Sequence, residues 1–321
     1  MKKLSVCVLF GGRSPEHEVS LRSAESVLNN MDPEKYNIFP VGITKQGNWL
    51  LYVSKDFSKI PTGEWEHDPK VRQVALSPVR NQGLLQLAGI PYVGPHVAAS
   101  AVSMDKTLTK LVVDNAGIPQ ASWMLVRRQD LTNRLEAVLD RLEGRFEYPM
   151  FVKPAGTGSS VGVSKATDRQ HLTEALEHAA KFDGKVLVEE FIRGKEIEVA
   201  VMGNESPVAS VCGEIDSGAD FYDYDAKYIT DTSVAYIPAR IPEEVSEKVR
   251  DMAVKVYSAI GCQGLSRVDF FVTDEGSVVF NEINTIPGFT SISMYPKLFD
   301  ASGIPYGQLL DQLLQLALEA K

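Results

Sequence analysis

The stretch from Ser266 to Ser293 constrains this chain more than any other. Two apolar, β-rich runs, 267–272 and 277–284, flank the polar Thr273-Asp274-Glu275-Gly276. That pattern predicts a hairpin with a short, glycine-ended loop. With Val272 paired to Ser277, Arg267 stands opposite Glu282 and Asp269 opposite Phe280. Strand side chains alternate faces, so Arg267, Asp269, Glu282 and Asn284 share one face. Asp269 and Glu282 become diagonal neighbours within reach of a shared ion. Oxygen ligands without His or Cys suit a hard cation such as Mg²⁺, whose octahedron is completed by phosphate oxygens and water. A solvated polar face is the plainer reading. Against it, Asp269-Phe270-Phe271 and Phe280 through Asn284 set these groups among residues that favour burial.

At 321 residues the chain has room for two or three domains with cores of their own. Its 23% charged and 44% hydrophobic residues are those of a soluble globular protein. A net charge of −9 argues against a general nucleic-acid binder, yet permits a local basic site for nucleotide phosphates. Cys7, Cys212 and Cys262 are odd in number, far apart and set in apolar runs, which predicts buried free thiols in a reducing compartment. No run is long enough to span a bilayer. The basic start is followed by an apolar run that Gly11, Gly12 and Arg13 end early, without a small-residue cleavage site. Residues 4–10 therefore read as the first buried strand of a cytoplasmic protein rather than a signal peptide.

After that strand, Gly11 to Glu16 form a turn, and Leu21, Ala24, Val27 and Leu28 mark a helix with Ser14 as N-cap and Pro15 at its first position. Strand, glycine turn and helix open a doubly wound domain, although the dinucleotide fingerprint is incomplete. Glu16 has two readings, as complement to the helix dipole or as a catalytic group. Strands are expected at 36–43, 49–53, 149–153, 185–192, 196–202 and 207–213. Helices are expected from about 97 to Gly117 and over 131–143, 169–181 and 242–260, with a last one on Leu309, Leu310, Leu313 and Leu316. Residues 54–81 resist assignment. The loop from Ser217 to Asp231 is long enough to be functional, and its aromatics argue against disorder.

Ala155 to Gly162 is a glycine- and serine-rich loop whose backbone N–H groups could nest anionic oxygens, or which is a plain hairpin turn; it lacks a Walker A ending. Lys153 ends an apolar strand, and a buried lysine needs an anionic partner, a role a triphosphate would fill. Lys106 is a weaker candidate, because lysines are common on helix surfaces. Val188-Glu189-Glu190-Phe191-Ile192 reads as a linker edge strand suited to adenine, or as a half-buried strand with exposed acids. Past the hairpin, Pro287-Gly288 fixes a turn that exposes backbone N–H groups, and the hydroxyls from Thr290 to Ser293 can hold a carboxylate. Metal acids, oxyanion donors and carboxylate binders in that order suit phosphoryl transfer to a carboxylate followed by acyl transfer. The histidines His17, His67, His96, His171 and His178 are scattered, mostly on expected surfaces, without metal-ligand spacing.

Several of these motifs together resemble the D-alanine–D-alanine ligases of the ATP-grasp superfamily over nearly the whole chain. They are Leu9 to Ser20, Ser103-Met104-Asp105-Lys106, Lys153-Pro154 with Gly158 to Gly162, Asp223 to Tyr228, Ser266 to Asp269 and Asn281 to Ser293. The resemblance implies an α/β and α+β architecture: a doubly wound (Rossmann-like) N-terminal domain over 1–104, then the two halves of an ATP-grasp fold over 105–195 and 196–321. It implies ATP as a substrate and two Mg²⁺ ions, replaceable by Mn²⁺, on Asp269, Glu282 and Asn284. Lys106 and Lys153 would contact the phosphates, with Ser159, Ser160 and Lys227 among the ATP-binding residues. Glu189, Glu190 and the backbone near Phe191 and Ile192 would hold adenine, and Glu196 the ribose. Glu16 would take the ammonium of the first D-alanine, in a network with Ser159 and Tyr228. Arg267 and the Gly288 N–H would form the oxyanion hole, and Ser293 with Met294 would hold the second D-alanine. The same resemblance implies a homodimer, with no nucleic-acid or membrane partner, serving peptidoglycan precursor synthesis in the cytoplasm.

One departure stands out. Where the family has a strand and a His-Gly…Gly-Glu-Asp-Gly-Thr stretch before Gln-Gly-Leu-Leu, this chain runs Ser77-Pro78-Val79-Arg80-Asn81-Gln82-Gly83-Leu84-Leu85. The alternatives to dipeptide synthesis are D-alanyl-D-lactate or D-alanyl-D-serine formation, or an inactive ATP-binding relative. Intact Arg267, Asp269, Glu282 and Asn284 favour activity, and Lys227-Tyr228 resembles the dipeptide-forming members.

Overall fold

The computed structural model describes residues 3–75, 90–158, 160–216 and 234–320. It divides into two compact units, residues 1–94 with 286–321 and residues 95–285.

The first unit carries a four-stranded sheet in the order β1 (Leu4–Gly11), β2 (Tyr36–Ile43), β3 (Trp49–Leu51), β4 (Arg72–Gln73). β1 and β2 run parallel and are joined by the helix His17–Asn30; β3 and β4 are antiparallel additions. The helix buries Leu21, Ala24 and Leu28, three and four residues apart, against Phe10, Tyr52, Ile60 and Trp65. Two of those partners, Ile60 and Trp65, come from the stretch 54–81 that resists assignment from sequence. It holds two 3-10 turns, Phe57–Lys59 and Glu64–His67, and it delivers Trp65 fully buried. Gly42 is needed beneath that indole, since a Cβ there would lie 2.1 Å from the ring. Cys7 is exposed, against expectation, because it falls on the outward-facing alternate positions of β1; Cys212 and Cys262 are buried as expected. The helices Met294–Ala301 and Tyr306–Glu319 complete this unit, where Asp311 accepts from Lys35 Nζ and Tyr36 Oη at 2.6 Å each.

The second unit holds two sheets. One has the order β5-β8-β6-β7, from β5 (Trp123–Arg127), β6 (Met150–Pro154), β7 (Ser164–Ala166) and β8 (Lys185–Glu190). The helices Arg128–Glu143 and Arg169–Phe182 cover one face and bury Val138, Leu142, Leu172 and Leu176. The other has the order β11-β10-β9-β12-β13, from β9 (Lys195–Gly203), β10 (Val208–Asp216), β11 (Val234–Tyr236), β12 (Gly264–Val272) and β13 (Val278–Asn284). The helix Glu243–Ile260 packs on it with Val249, Ala253, Val256 and Tyr257.

The continuous helix expected from about 97 is two helices, Val97–Met104 and Lys106–Asn115. Asp105 breaks it: its backbone is extended, and its carboxylate accepts from Thr107 N at 3.0 Å and Leu108 N at 3.3 Å. The first helix likewise starts later than expected, at His17 with Glu16 as the capping position, because Ser14 and Pro15 are spent in the preceding turn.

Candidate active site

The hairpin is present, with a different register. Its loop is closed by Thr273 N donating to Ser277 O at 3.0 Å, so Val272 pairs with Val278 rather than Ser277. A bulge then shifts the pairing between Phe270, which faces Phe280, and Asp269, which faces Glu282. Asn281 is the extra residue. Phe280 and Ile283 point into the core while Asn281 and Glu282 both turn away from it. The two corrections bring Asp269 and Glu282 directly opposite one another, and Arg267 opposite Asn284. Arg267, Asp269, Glu282 and Asn284 do share a face. The sequence carried a signal for the bulge, since the spacing of Val278, Phe280 and Ile283 breaks strict alternation.

On that face the Arg267 guanidinium donates to both carboxylate oxygens of Asp269, at 2.8 and 2.7 Å. Its Nε also lies 3.2 Å from Glu198 Oε2. Asn284 Nδ2 donates to Asp269 Oδ2 at 3.0 Å and lies 3.5 Å from Glu282 Oε1. Burial would weaken the charged form of Arg267, but the Asp269 and Glu198 carboxylates outweigh it and raise its pKa well above the usual value. Glu198, noted in the sequence only as a strand residue, thus belongs to the cluster; its signal was the alternation of Glu196 and Glu198 with Ile197 and Val199. Among the described residues no three His, Cys, Asp or Glu side chains group as a metal site. Asp269 and Glu282 supply hard carboxylate oxygens, which fit Mg²⁺ or Mn²⁺; Asn284 turns Nδ2 toward them and would add its oxygen with the amide reversed.

Lys153 leaves β6 of the other sheet, and its Nζ lies 3.5 Å from Asn281 Oδ1. Its closest partner is Glu189 Oε2, at 2.6 Å. The other oxygen of Glu189 pairs with Lys110, from the helix Lys106–Asn115. Burial alone would raise the Glu189 carboxyl, yet the two ammonium groups pull it down to about 2. Burial would likewise lower Lys153, and Glu189 more than compensates, leaving its pKa raised. Sequence reasoning missed Lys110. Its signal was its place on the buried stripe of that helix, three residues before Val113.

The adenine segment needs correction. β8 is an interior strand, hydrogen-bonded to β5 and β6, so the Glu189 and Glu190 backbones lie in the sheet ladder. The Glu190 carboxylate accepts from Ser122 N at 2.7 Å. Phe191 and Ile192 lie just past the strand, where Phe191 stacks near Phe151 and Lys165 Nζ sits 5.0 Å from its ring. The linker then needs Gly194, because a Cβ there would meet Val272 O at 2.6 Å. Glu196 follows as the second residue of β9 and contributes to the charge around Lys153.

The glycine-rich loop is tied down at both ends. Asp183 accepts from Gly156 N at 2.7 Å, Lys106 Nζ donates to Thr157 O at 2.5 Å, and Thr157 Oγ1 donates to Val161 O at 2.9 Å. Ser160 and Gly162 have positive φ of 58° and 77°, the alternation that curls successive N–H groups into an anion-binding concavity. Ser159, Lys227 and Tyr228 lie outside the described residues, as does the departure at 77–85.

In the first unit, Glu16 sits at the start of the first helix, its N–H donating to Ser14 Oγ at 3.3 Å. The neighbouring His17 is buried, not on the surface as expected, and its Nδ1 meets Gly12 O at 2.7 Å. Near the C-terminus, Ser293 Oγ accepts from Thr290 N at 3.0 Å and bonds Thr290 Oγ1 at 2.8 Å; Ser293 occupies the N-cap position of the helix that begins at Met294, with no side-chain bond to that helix. Gly288 is packed against that hydroxyl, since a Cβ would come within 2.9 Å of Ser293 Oγ.

A family model described as D-ala D-ala ligase N-terminus matches residues 5–77, and one described as D-ala D-ala ligase C-terminus matches residues 112–315. The chain belongs to the D-alanine–D-alanine ligase family. It is 47% identical to the D-alanine–D-alanine ligase of Acetivibrio thermocellus and 47% to that of Ruminiclostridium cellulolyticum, each comparison covering 99% of this chain and 96% of the relative. Both alignments run over 363 positions, so these ligases carry residues that this 321-residue chain lacks. Among solved structures, the VanG D-Ala:D-Ser ligase from Enterococcus faecalis superposes with a TM-score of 0.89 at 36% identity, covering 98% of this chain and 100% of that one. The D-alanine-D-alanine ligase from Coxiella burnetii gives 0.85 at 34%, covering 99% and 95%. The fold is accordingly that of the ATP-grasp ligases, as expected from the sequence.

Proposed function

We propose that the chain joins two D-alanine molecules to D-alanyl-D-alanine with ATP, through a D-alanyl phosphate. The observation that carries this reading is the convergence in the second unit of Arg267, Asp269, Glu282 and Asn284 on one strand face with Lys153 beside Asn281. The first D-alanine's carboxylate oxygen bonds the γ-phosphorus as the bridging P–O bond to ADP breaks. The deprotonated amine of the second D-alanine then bonds the acyl carbon, and the tetrahedral intermediate expels phosphate. Lys153 and Lys106 hold the phosphates, with Ser159, Ser160 and Lys227 as further contacts. Phe191 and Ile192 hold adenine through their backbone, and Glu196 holds the ribose. Asp269, Glu282 and Asn284 would carry two divalent ions, which neutralise charge on the transferred phosphoryl group. Arg267 and the Gly288 N–H receive the oxyanion. Glu16, with Ser159 and Tyr228, orients the first D-alanine, and Ser293 with Met294 the second. A homodimer in the cytoplasm completes the reading; no helix of the described residues is long and apolar enough to cross a membrane.

The likeness to the VanG D-Ala:D-Ser ligase favours D-serine as the second acceptor to consider. Phosphate release in the presence of ATP, Mg²⁺ and D-alanine tests the main reading. Release that depends on D-alanine is expected; release no greater than without it returns the chain to an inactive ATP-binding relative.

A further inference from the structure

The carboxylate of Glu189 is shared by two lysines, and the mechanism above uses only one of them. Lys110 Nζ pairs with Glu189 Oε1, while Lys153 Nζ pairs with Oε2 at 2.6 Å. The Lys110 side chain is 3% exposed and that of Glu189 5%, whereas Lys153 keeps 17% of its surface open. The open member is thus the one that lies beside Asn281 and feels the charges of Glu282 on β13 and Glu196 on β9.

We propose that Lys110 is a positioning residue for ATP: it occupies one oxygen of Glu189, so that the other oxygen orients Lys153 and the cluster keeps a net positive charge for the triphosphate. This rests on the reading of Lys153 as a phosphate contact.

Two physical arguments support it. Burying an ammonium group is costly unless it is paired, and a buried ion pair is seldom more stable than an apolar replacement of similar size. A lysine turned inward from a helix that could have placed it in water therefore serves something other than stability. The second argument is charge. Within the trio, two ammonium groups and one carboxylate leave one positive charge, which offsets the Glu282 and Glu196 carboxylates that also act on Lys153. Without Lys110 the Lys153–Glu189 pair is neutral, and both carboxylate oxygens are free to draw Lys153 back from the nucleotide. Lys110 reaches the nucleotide only through Glu189, so its loss acts on ATP and leaves the D-alanine contacts as they were.

The test uses the full chain with Lys110→Met, Lys110→Gln and Lys110→Arg. Mg²⁺–ATP binding is measured by calorimetric titration, and KM is measured for ATP and for D-alanine separately. The neutral variants should raise Kd and KM for ATP roughly ten- to thirtyfold, the scale of one unit charge several ångströms away at an effective dielectric near 20. KM for D-alanine should not change, and Lys110→Arg should restore most of the ATP affinity. Should Lys110→Met not fold, Lys110→Gln carries the same comparison. In a Glu189→Gln background no carboxylate is left to draw Lys153 back, so removing the Lys110 charge should cost only part of its effect in the wild-type background. Folded neutral variants with wild-type ATP affinity would overturn the proposal, as would equal rises in KM for both substrates or a full further loss in the Glu189→Gln background. Wild-type protein that binds no ATP would instead sink the ligase reading.

Discussion

Arg267 is held by Asp269 on one side and Glu198 on the other, so its planar fork is aimed before any substrate arrives. Arg267→Ala should lower kcat by about 10²–10³, the usual cost of one oxyanion donor, with little change in KM for ATP. Arg267→Lys keeps the charge but loses the two-pronged contact, and it should recover only a small part. Steady-state kinetics of the two variants check this; equal activity of Arg267→Ala and wild type would remove the residue from the chemistry. Glu189 gives a pH prediction. Its folded-state pKa of about 2 lies below the ordinary 4.5, so folding favours the ionised form. The stability it contributes is therefore complete above about pH 4.5 and is lost as pH falls toward about 2. Thermal unfolding between those limits should show the loss in wild type and a flatter profile in Glu189→Gln. At this scale the sequence exposed the strand-face quartet, because polar residues among Phe and Ile announce a site. It could not expose the Glu189 pairing: the stripe shared with Val113 marks Lys110 as inward-facing, but its partner lies far along the chain and only the packing identifies it.

At the scale of elements, one inserted residue decides the geometry. The bulge at Asn281 lets Glu282 and Asn284 share a face with Asp269 and Arg267 while Phe280 and Ile283 stay in the core. Deleting Asn281 would force a choice between flipping the acids and flipping the core residues. Deletion should abolish metal-dependent ATP turnover, whereas Asn281→Ala, which keeps the register, should retain most of it. Comparable activity in both would show that the bulge is dispensable. Asp105 is a second point of control. It separates two helices, caps the later one and pairs with Lys185. Asp105→Ala should cost about 1 kcal/mol in a denaturant titration, the usual value of a lost cap. The elements themselves were largely readable from periodicity. The break at Asp105 was not, because the apolar spacing continues through it and the capping interaction depends on backbone angles rather than composition. Residues 54–75 were opaque for a similar reason: their core groups Ile60 and Trp65 are carried by turns that have no period to read.

Across the whole molecule, the family models, the full-length relatives and the superposed structures agree on an ATP-grasp ligase. The N-terminal family match ends at residue 77, where the chain departs from the family pattern, and the aligned relatives are longer than this chain. With Arg267, Asp269, Glu282 and Asn284 together on one strand face, the chain is expected to be an active enzyme. The most direct measurement incubates the protein with ATP, Mg²⁺ and D-alanine, with and without an equal amount of D-serine, and identifies the dipeptide by mass. D-alanyl-D-alanine is expected as the dominant product in both mixtures, with phosphate released in step. No dipeptide, or D-alanyl-D-serine as the dominant product, would contradict it.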